Sequence, residues 1–310
     1  MHASPLIAYK ITNRKNGNNM FLQQVLNALA IGSVYALTAM GATLIYGILG
    51  ILDIANAGAY LIGAYLGWYI YYATGNIVVA FVGSIIAVGL LGIVLQKFIY
   101  SPILAKPHTL SIIPLVAAVG LFTMSSDLVR LICGPYSLSY NYEFKQVSYK
   151  IGNVVILPAW ILIFVLTAVL LLVLWFILNK TKLGLAWRAT ANDSEIARVC
   201  GVNTNNAMAL SYILGYGFAA AAGIMVGILY NSITPALGEV PSYKMLAIIV
   251  LGGLGNPIGT VIAGLIIGFT EIFLSAYTAI PIPKDAIAFV VLIIMLLIKP
   301  EGIMGKKNKI

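Results

Sequence analysis

Read only as apolar and polar positions, the chain is a series of long apolar runs separated by short polar breaks. The runs fall at about 21–49, 51–73, 77–99, 109–132, 157–179, 206–230, 243–254, 258–278 and 285–298. Most reach ~20 residues, the length at which an α-helix crosses the hydrocarbon core of a bilayer. None alternates with period two over ~10-residue segments, as the strands of a transmembrane barrel do. In lipid each backbone N–H and C=O must be satisfied within its own segment, so each run is expected to be helical. The pattern predicts an all-α fold, a polytopic transmembrane helical bundle of about eight to ten spans. The run at 243–254 is short for a full crossing and is expected to be tilted or partly re-entrant. The breaks are "TGN" at 74–76, "SPILAKPH" at 101–108, "GGLGNPIG" at 252–259 and "IPIPKD" at 280–285, all rich in turn formers.

Composition sharpens this picture. Sixty-one per cent of residues are hydrophobic and 9% are charged, with a mean hydropathy of +0.99; soluble domains carry roughly 25% charged residues. A soluble monomer is excluded. The net charge of +9 fits Lys and Arg gathered in cytoplasmic loops. No basic cluster interleaves with aromatics as a nucleic-acid surface would require, and no nucleic-acid partner is expected. Three regions are expected: a polar tail at 1–19, a membrane domain at 20–299 and a basic cytoplasmic tail at 300–310. The tail at 1–19 lacks the short apolar stretch and small-residue cleavage site of a signal peptide. With the loop at 180–205 placed in the cytoplasm, counting crossings puts 133–156 outside and the C-terminal tail inside. Lys97, Lys106, Lys180, Lys182, Arg188, Arg198, Lys299, Lys306, Lys307 and Lys309 then face the cytoplasm. Lys10, Arg14 and Lys15 join them if 21–73 holds three crossings; two crossings leave the N-terminus outside.

Candidate chemistry is sparse. His2 and His108 are the only histidines and have no partners at metal-ligand spacing. No glycine-rich loop carries the Lys-Ser/Thr of a phosphate-binding loop. No catalytic residue, cofactor or metal is expected, and any ATP hydrolysis must lie on a separate chain. Within the runs stand Asp53 in "GILDIANAGAY", Asp127 and Arg130 in "MSSDLVRLI", and Glu271 in "GFTEIFLSAY". A lone charge at the bilayer centre costs about 2.5–3.5 kcal/mol on insertion scales, so each calls for a reason. Asp127 and Arg130 are three apart and are expected to pair along one helix near its outer end. Asp53, with Asn56 and Gly58, reads either as a broken helix lining a cavity or as a turn at the membrane surface. Asp53, Asn56 and Glu271 are the candidates for a translocation pathway. The pairs Gly63/Gly67, Gly223/Gly227 and Gly264/Gly268 are spaced for close helix packing, chiefly within the subunit.

One stretch is out of character. From Lys180 to Arg198 the chain places six of its 27 formal charges. Within "RATANDSEIARVCG" (188–201), Asn192, Asp193 or Ser194 can cap a helix and Gly201 can end it. A short surface helix is expected over about 191–201. Glu195-Ile196-Ala197, three residues, then Gly201 resembles the Glu-Ala-Ala…Gly loop of ABC-importer permeases. "QQVLNALAIGSVYALTAMGATLIYGILGILDIANAGAYLIGAYLG" (23–67), "TKLGLAWRATANDSEIARVCGVNT" (181–204), "AIIVLGGLGNPIGTVIAGLIIGFTEIF" (247–273) and "IKPEGIMGK" (298–306) are similar, in order, to the permeases of the high-affinity leucine-isoleucine-valine system.

That resemblance implies a permease subunit of an ATP-driven importer of branched-chain or related hydrophobic amino acids, in the cell (inner) membrane. Its implied partners are two cytoplasmic ATPase subunits, a second homologous permease subunit and an extracytoplasmic solute-binding protein. It also implies that 191–201 is the coupling helix, with Asp193, Glu195, Ala197 and Gly201 meeting the ATPase. The competing expectations are a permease of the same superfamily for ribose, nucleosides or urea, and an ion-coupled secondary carrier.

Overall fold

The computed structural model describes residues 17–104, 112–140, 149–151, 154–156, 158–277 and 284–305. Most of the polar tail, His108, Lys106 and the last five residues lie outside the described residues, as do 141–148 in the loop expected to face outward. Helix α1 spans Gly17–Leu49 and α2 spans Ala55–Thr74, so 21–73 holds two helices. Helix α3 (Ile77–Leu95) runs on through a π turn (Gln96–Tyr100) and a last α turn (Ser101–Leu104). Then come α4 (Ile112–Cys133), α5 (Pro158–Lys180), α6 (Lys182–Asn192), α7 (Ser194–Val199), α8 (Thr204–Tyr230), α9 (Glu239–Gly252), α10 (Pro257–Tyr277) and α11 (Lys284–Ile298). Between α4 and α5 a small antiparallel hairpin, β1 (Tyr149–Ile151) and β2 (Val154–Ile156), pairs Tyr149 with Ile156. Among the described residues six helices are long and apolar enough to cross a membrane. The 14 residues of α9 extend only about 21 Å at 1.5 Å per residue, as the short run at 243–254 predicts.

Local sequence explains the boundaries. Gly50 ends α1 in the left-handed region (φ 65°), with its N–H on the Tyr46 carbonyl at 2.8 Å. The Asn76 side chain accepts from Val78 and Val79 N–H and opens α3. Gly253 (φ 100°) and Gly255 (φ 76°) make the tight turn between α9 and α10.

Helix α8 is the axis of the bundle and packs against α1, α2 and α3. Ala219, Ala220, Ala221 and Ala222 are wholly buried there. The spaced glycines pack within the subunit. A Cβ on Gly223 would sit 2.1 Å from the Tyr60 carbonyl oxygen, and one on Gly63 would sit 2.3 Å from Ala220 Cα. Gly264 and Gly268 meet Ala36 and Gly32 in the same way, joining α10 to α1. Close backbone approach supplies in lipid the dispersion contacts that hold helices together. By contrast, α3 and α5 turn branched and aromatic side chains outward, among them Val82, Ile86, Leu90, Leu172 and Phe176.

Residues 299–305 pack back onto the turn between α9 and α10. Ile303 N–H donates to the Leu251 carbonyl at 2.8 Å and Met304 N–H to Gly252 at 3.1 Å, while Asn256 Nδ2 donates to the Met304 carbonyl at 2.9 Å. The glycines of "GGLG" and "EGIMG" let two turns touch: a Cβ on Gly302 would lie 2.5 Å from Gly253 N. Asp127 and Arg130 are both exposed on α4 and do not close onto each other; the ion pair within 4 Å among the described residues joins Lys244 and Glu271.

The ends of the bundle are distinct. Phe21, early in α1, stacks edge-on with Phe273 near the end of α10, ring centroids 5.5 Å apart. The other end of α1 lies beside Trp187 and Gly255. The start of α1 and the charged 180–204 stretch therefore lie at opposite ends.

Candidate functional site

The charged stretch folds as an elbow of two helices rather than one. Thr181 caps α6 through Oγ1, which accepts from Gly184 N–H at 3.1 Å. At the bend, Asp193 adopts an extended conformation (φ −159°, ψ 111°). Its N–H still bonds to the Ala189 carbonyl of α6, while its Oδ1 accepts from Glu195 and Ile196 N–H, both at 2.9 Å. One residue thus closes one helix and opens the next, which is why Ala191 belongs to α6 and the expected single helix splits. Gly201 stops α7 at φ 81°. Its N–H reaches the Arg198 carbonyl at 3.0 Å and Val202 N–H reaches Ala197 at 2.9 Å, the paired bonds of a Schellman stop.

The elbow is anchored from beneath. The Trp187 ring lies against Gly47 of α1, where a Cβ would come within 2.9 Å of it, and its Nε1 donates to Ser211 Oγ of α8 at 2.7 Å. Any tilt of α6 is thereby felt by α1 and α8. Ala197 is the buried residue of α7; Glu195 and Arg198 point outward. Ile196 is 62% and Val199 89% exposed. A cleft of about 270 Å³ runs beside the elbow between Lys182, Leu185, Ala189, Asn203 and Asn206. Of the four residues expected at the coupling site, three face away from the bundle and Ala197 supports them.

The other candidates lie inside the bundle, in two groups. Asp53 stands in the break between α1 and α2 and is 1% exposed. Its Oδ1 accepts from Tyr100 Oη at 2.7 Å and from Ala55 N–H at 3.1 Å; its Oδ2 accepts from Tyr216 Oη at 3.1 Å. Tyr100 ends the π turn of α3, so that irregularity delivers a hydroxyl to the break. Asn56, wholly buried, donates from Nδ2 to the Thr38 carbonyl at 3.2 Å. Glu271 belongs to the second group. Lys244 Nζ of α9 lies 3.1 and 3.0 Å from its two oxygens and donates to Tyr35 Oη at 2.8 Å; Tyr35 Oη donates to Glu271 Oε1 at 3.2 Å. A buried charge needs a partner of this kind.

Sequence reasoning missed Lys244, Tyr35, Tyr100, Tyr216 and Trp187. A signal existed for Lys244, a single cation in an apolar run with an equally isolated Glu271 in the next run. None existed for the tyrosines, whose partners lie up to 236 positions away.

The described residues form a helical bundle with six helices long and apolar enough to cross a membrane and one charged elbow at a single end, an arrangement that suits a membrane transport subunit. The chain belongs to the family described as branched-chain amino acid transport system / permease component, which matches residues 24–298. It is 33% identical over 300 residues to the high-affinity branched-chain amino acid transport system permease protein LivH of Escherichia coli (strain K12), covering 92% of this chain and 96% of that protein. The corresponding protein BraD of Pseudomonas aeruginosa is 33% identical over 301 residues, with the same coverage of 92% and 96%. The ribose import permease protein RbsC of E. coli is more distant, 27% identical over 253 residues covering 78% of this chain and 67% of that one.

Proposed function

We propose that this subunit forms, with a second homologous permease subunit, the path of an ATP-driven importer for branched-chain or related hydrophobic amino acids in the cell membrane. Cargo arrives on an external solute-binding protein, and two cytoplasmic ATPase subunits supply the energy. The elbow of α6 and α7 is the element that meets the ATPase, and it lies in the cytoplasm with residues 299–310. Residues 133–156 and the start of α1 then face outward.

The observation that carries this reading is α7 itself. A six-residue helix is far too short to be stable alone, yet it is closed at both ends by Asp193 and Gly201 and holds Ile196 and Val199 outward at an end rich in charge. We read this outward apolar pair, beside the exposed Glu195 and Arg198, as the surface that meets a protein partner, and Trp187 gives that contact a mechanical route into α1 and α8. Glu195 offers a carboxylate for a charge-assisted bond to a basic group of the ATPase. Asp53 and Glu271 are held by internal partners, and Asn56 is tied through Nδ2 to the Thr38 carbonyl while its buried Oδ1 has no partner among the described residues. We read them as fixing the helices that flank the path, not as solvating cargo within it.

The test is co-purification of the ATPase subunits with tagged Glu195→Lys and Gly201→Val permease, alongside leucine and ribose uptake by the wild-type complex. Both variants should insert normally and lose most of the bound ATPase, and the wild type should carry leucine. Wild-type levels of ATPase on both variants would remove α7 from the coupling role, and ribose uptake without leucine uptake would remove the proposed cargo.

A further inference from the structure

Helix α4 stands at the edge of the bundle and packs chiefly on α2. Its inward face carries Pro114, Ala118 and Val129, all buried, and Ser125, whose side chain would lie 2.7 Å from a Cβ on Gly58. At 100° per residue, Gly120, Thr123, Asp127 and Arg130 fall together on the opposite face. All four are exposed, and the space beyond Gly120 is open, with nothing within 4 Å of a Cβ placed there. Neither Asp127 nor Arg130 has an ion-pair or hydrogen-bond partner among the described residues, although three positions on a helix bring them within reach of each other.

A charged band interrupts the otherwise apolar outer surface of α4, whose other outward residues include Val116, Met124 and Leu131. At 1.5 Å per residue Asp127 lies about 9 Å, and Arg130 about 4.5 Å, before the last residue of α4. Arg130 has the length to reach the interface from there, whereas Asp127 is short and turned squarely away from α2, where hydrocarbon would be costly for it. The outer surface of α3 carries no such charge: over Ile77–Leu95 its outward residues include Val78, Val82, Ile86, Leu90 and Val94. A carboxylate and a guanidinium, one turn apart and not joined to each other, over small residues that leave room, match a ligand carrying one positive and one negative group. A neutral sugar needs neither.

We infer that the α4 band from Gly120 to Arg130 lines the outer part of the transport path and receives the zwitterionic head group of an amino acid, Asp127 taking the ammonium and Arg130 the carboxylate. The inference rests on the amino-acid reading of the subunit's function and adds where the head group is held. Arg130 suits a carboxylate because its planar fork donates two parallel N–H bonds.

The experiment uses the full complex with its second permease, ATPases and binding protein, reconstituted in lipid vesicles. Cysteines replace Gly120 and Thr123 one at a time in a background without Cys133 and Cys200, and are exposed to a charged, water-soluble thiol reagent. Separately, Asp127→Asn, Arg130→Gln and Arg130→Lys are assayed for radiolabelled leucine uptake and for ATP hydrolysis stimulated by the binding protein. Both cysteines should label. Asp127→Asn and Arg130→Gln should each cut uptake roughly tenfold or more, the factor that loss of one charge-assisted hydrogen bond gives, while stimulated hydrolysis persists; Arg130→Lys should fall between. Unlabelled cysteines would show a face covered by the second permease or by lipid and would overturn the inference, even if the charge variants fail to assemble. Labelling with wild-type uptake in all three variants would overturn it too. A wild-type complex that carries ribose and no leucine would instead refute the amino-acid reading itself, and the zwitterion site with it.

Discussion

Lys244 and Glu271 form a buried ion pair that ties the short helix α9 to α10 and, through Tyr35, to α1. Their side chains are 3% and 2% exposed and 3.0 Å apart. At that distance two unit charges attract by about 5 kcal/mol at an effective dielectric of ~20. Desolvating the two ions costs several kcal/mol each, so the intact pair adds little net stability over a well-packed apolar pair. Breaking it is another matter. Lys244→Met leaves the Glu271 carboxylate buried with only the Tyr35 hydroxyl as donor among the interactions described above, and a cost of about 3–5 kcal/mol is expected. Glu271→Gln leaves the ammonium facing Tyr35 and an amide, with a similar cost. The double variant removes both charges and should lie within about 1 kcal/mol of the wild type, so the coupling between the two sites is itself about 3 kcal/mol or more. The measurement is reversible unfolding of the purified subunit in mixed micelles with increasing SDS, followed by tryptophan fluorescence, for all four proteins of the cycle. Single variants that lose less than about 1 kcal/mol, or a double variant that loses the sum of the two, would refute the account. Membrane-embedded polar contacts often measure weaker than expected because the reference state finds partners too, which makes the near-recovery of the double variant the sharper criterion.

Four further outcomes are expected. Tyr100→Phe and Tyr216→Phe should each destabilise the subunit by about 1–3 kcal/mol in the same assay, since each withdraws a hydroxyl from the buried Asp53 carboxylate. Gly223→Ala should cost about 1–3 kcal/mol by pushing α8 off the Tyr60 carbonyl, whereas Gly75→Ala, with open space around it, should cost only about 1 kcal/mol from its positive φ. Trp187→Ala should keep the ATPase bound at wild-type amounts in co-purification yet reduce leucine uptake per ATP hydrolysed, because it removes the link from elbow to bundle and leaves α7 intact. In intact cells, an impermeant thiol reagent should modify a cysteine at the exposed Tyr136 and spare the exposed Cys200; the reverse pattern would invert the proposed orientation.

How far the sequence could be read follows from the range of the interactions involved. The helices were legible because a bilayer imposes one length and one backbone solution on every crossing. The glycine pairs were legible because spacing along a helix fixes which residues share a face. The stop at Gly201 and the cap at the elbow were legible because both are made within a few residues, although the choice among Asn192, Asp193 and Ser194 was not. What a linear reading lacked was depth. Lys244 looks like a charge in a short apolar segment until α9 is seen to start well inside the bundle, where Gly238 packs against the Ala57 carbonyl and Phe122; only then does the lysine come level with Glu271. Asp53 likewise looked half like a surface turn, because nothing local announces that Tyr100 and Tyr216 will enclose it.

Asp127 and Arg130 show the same limit from the other side. Their spacing correctly places them on one helix face, and the natural economy is to let them neutralise each other. The fold instead turns that face out of the subunit and leaves the two charges apart. On the proposal made above, the partner of each charge is the solute rather than the other charge. Asp193, Gly201, Lys244 and Glu271 all complete their interactions within this subunit, and each has a structural account. Ile196, Val199, Asp127 and Arg130 do not, and they lie towards opposite ends of the bundle. On the function proposed above, a subunit that grips an ATPase at one end and admits a zwitterionic solute at the other would carry its unfinished surfaces in those two places.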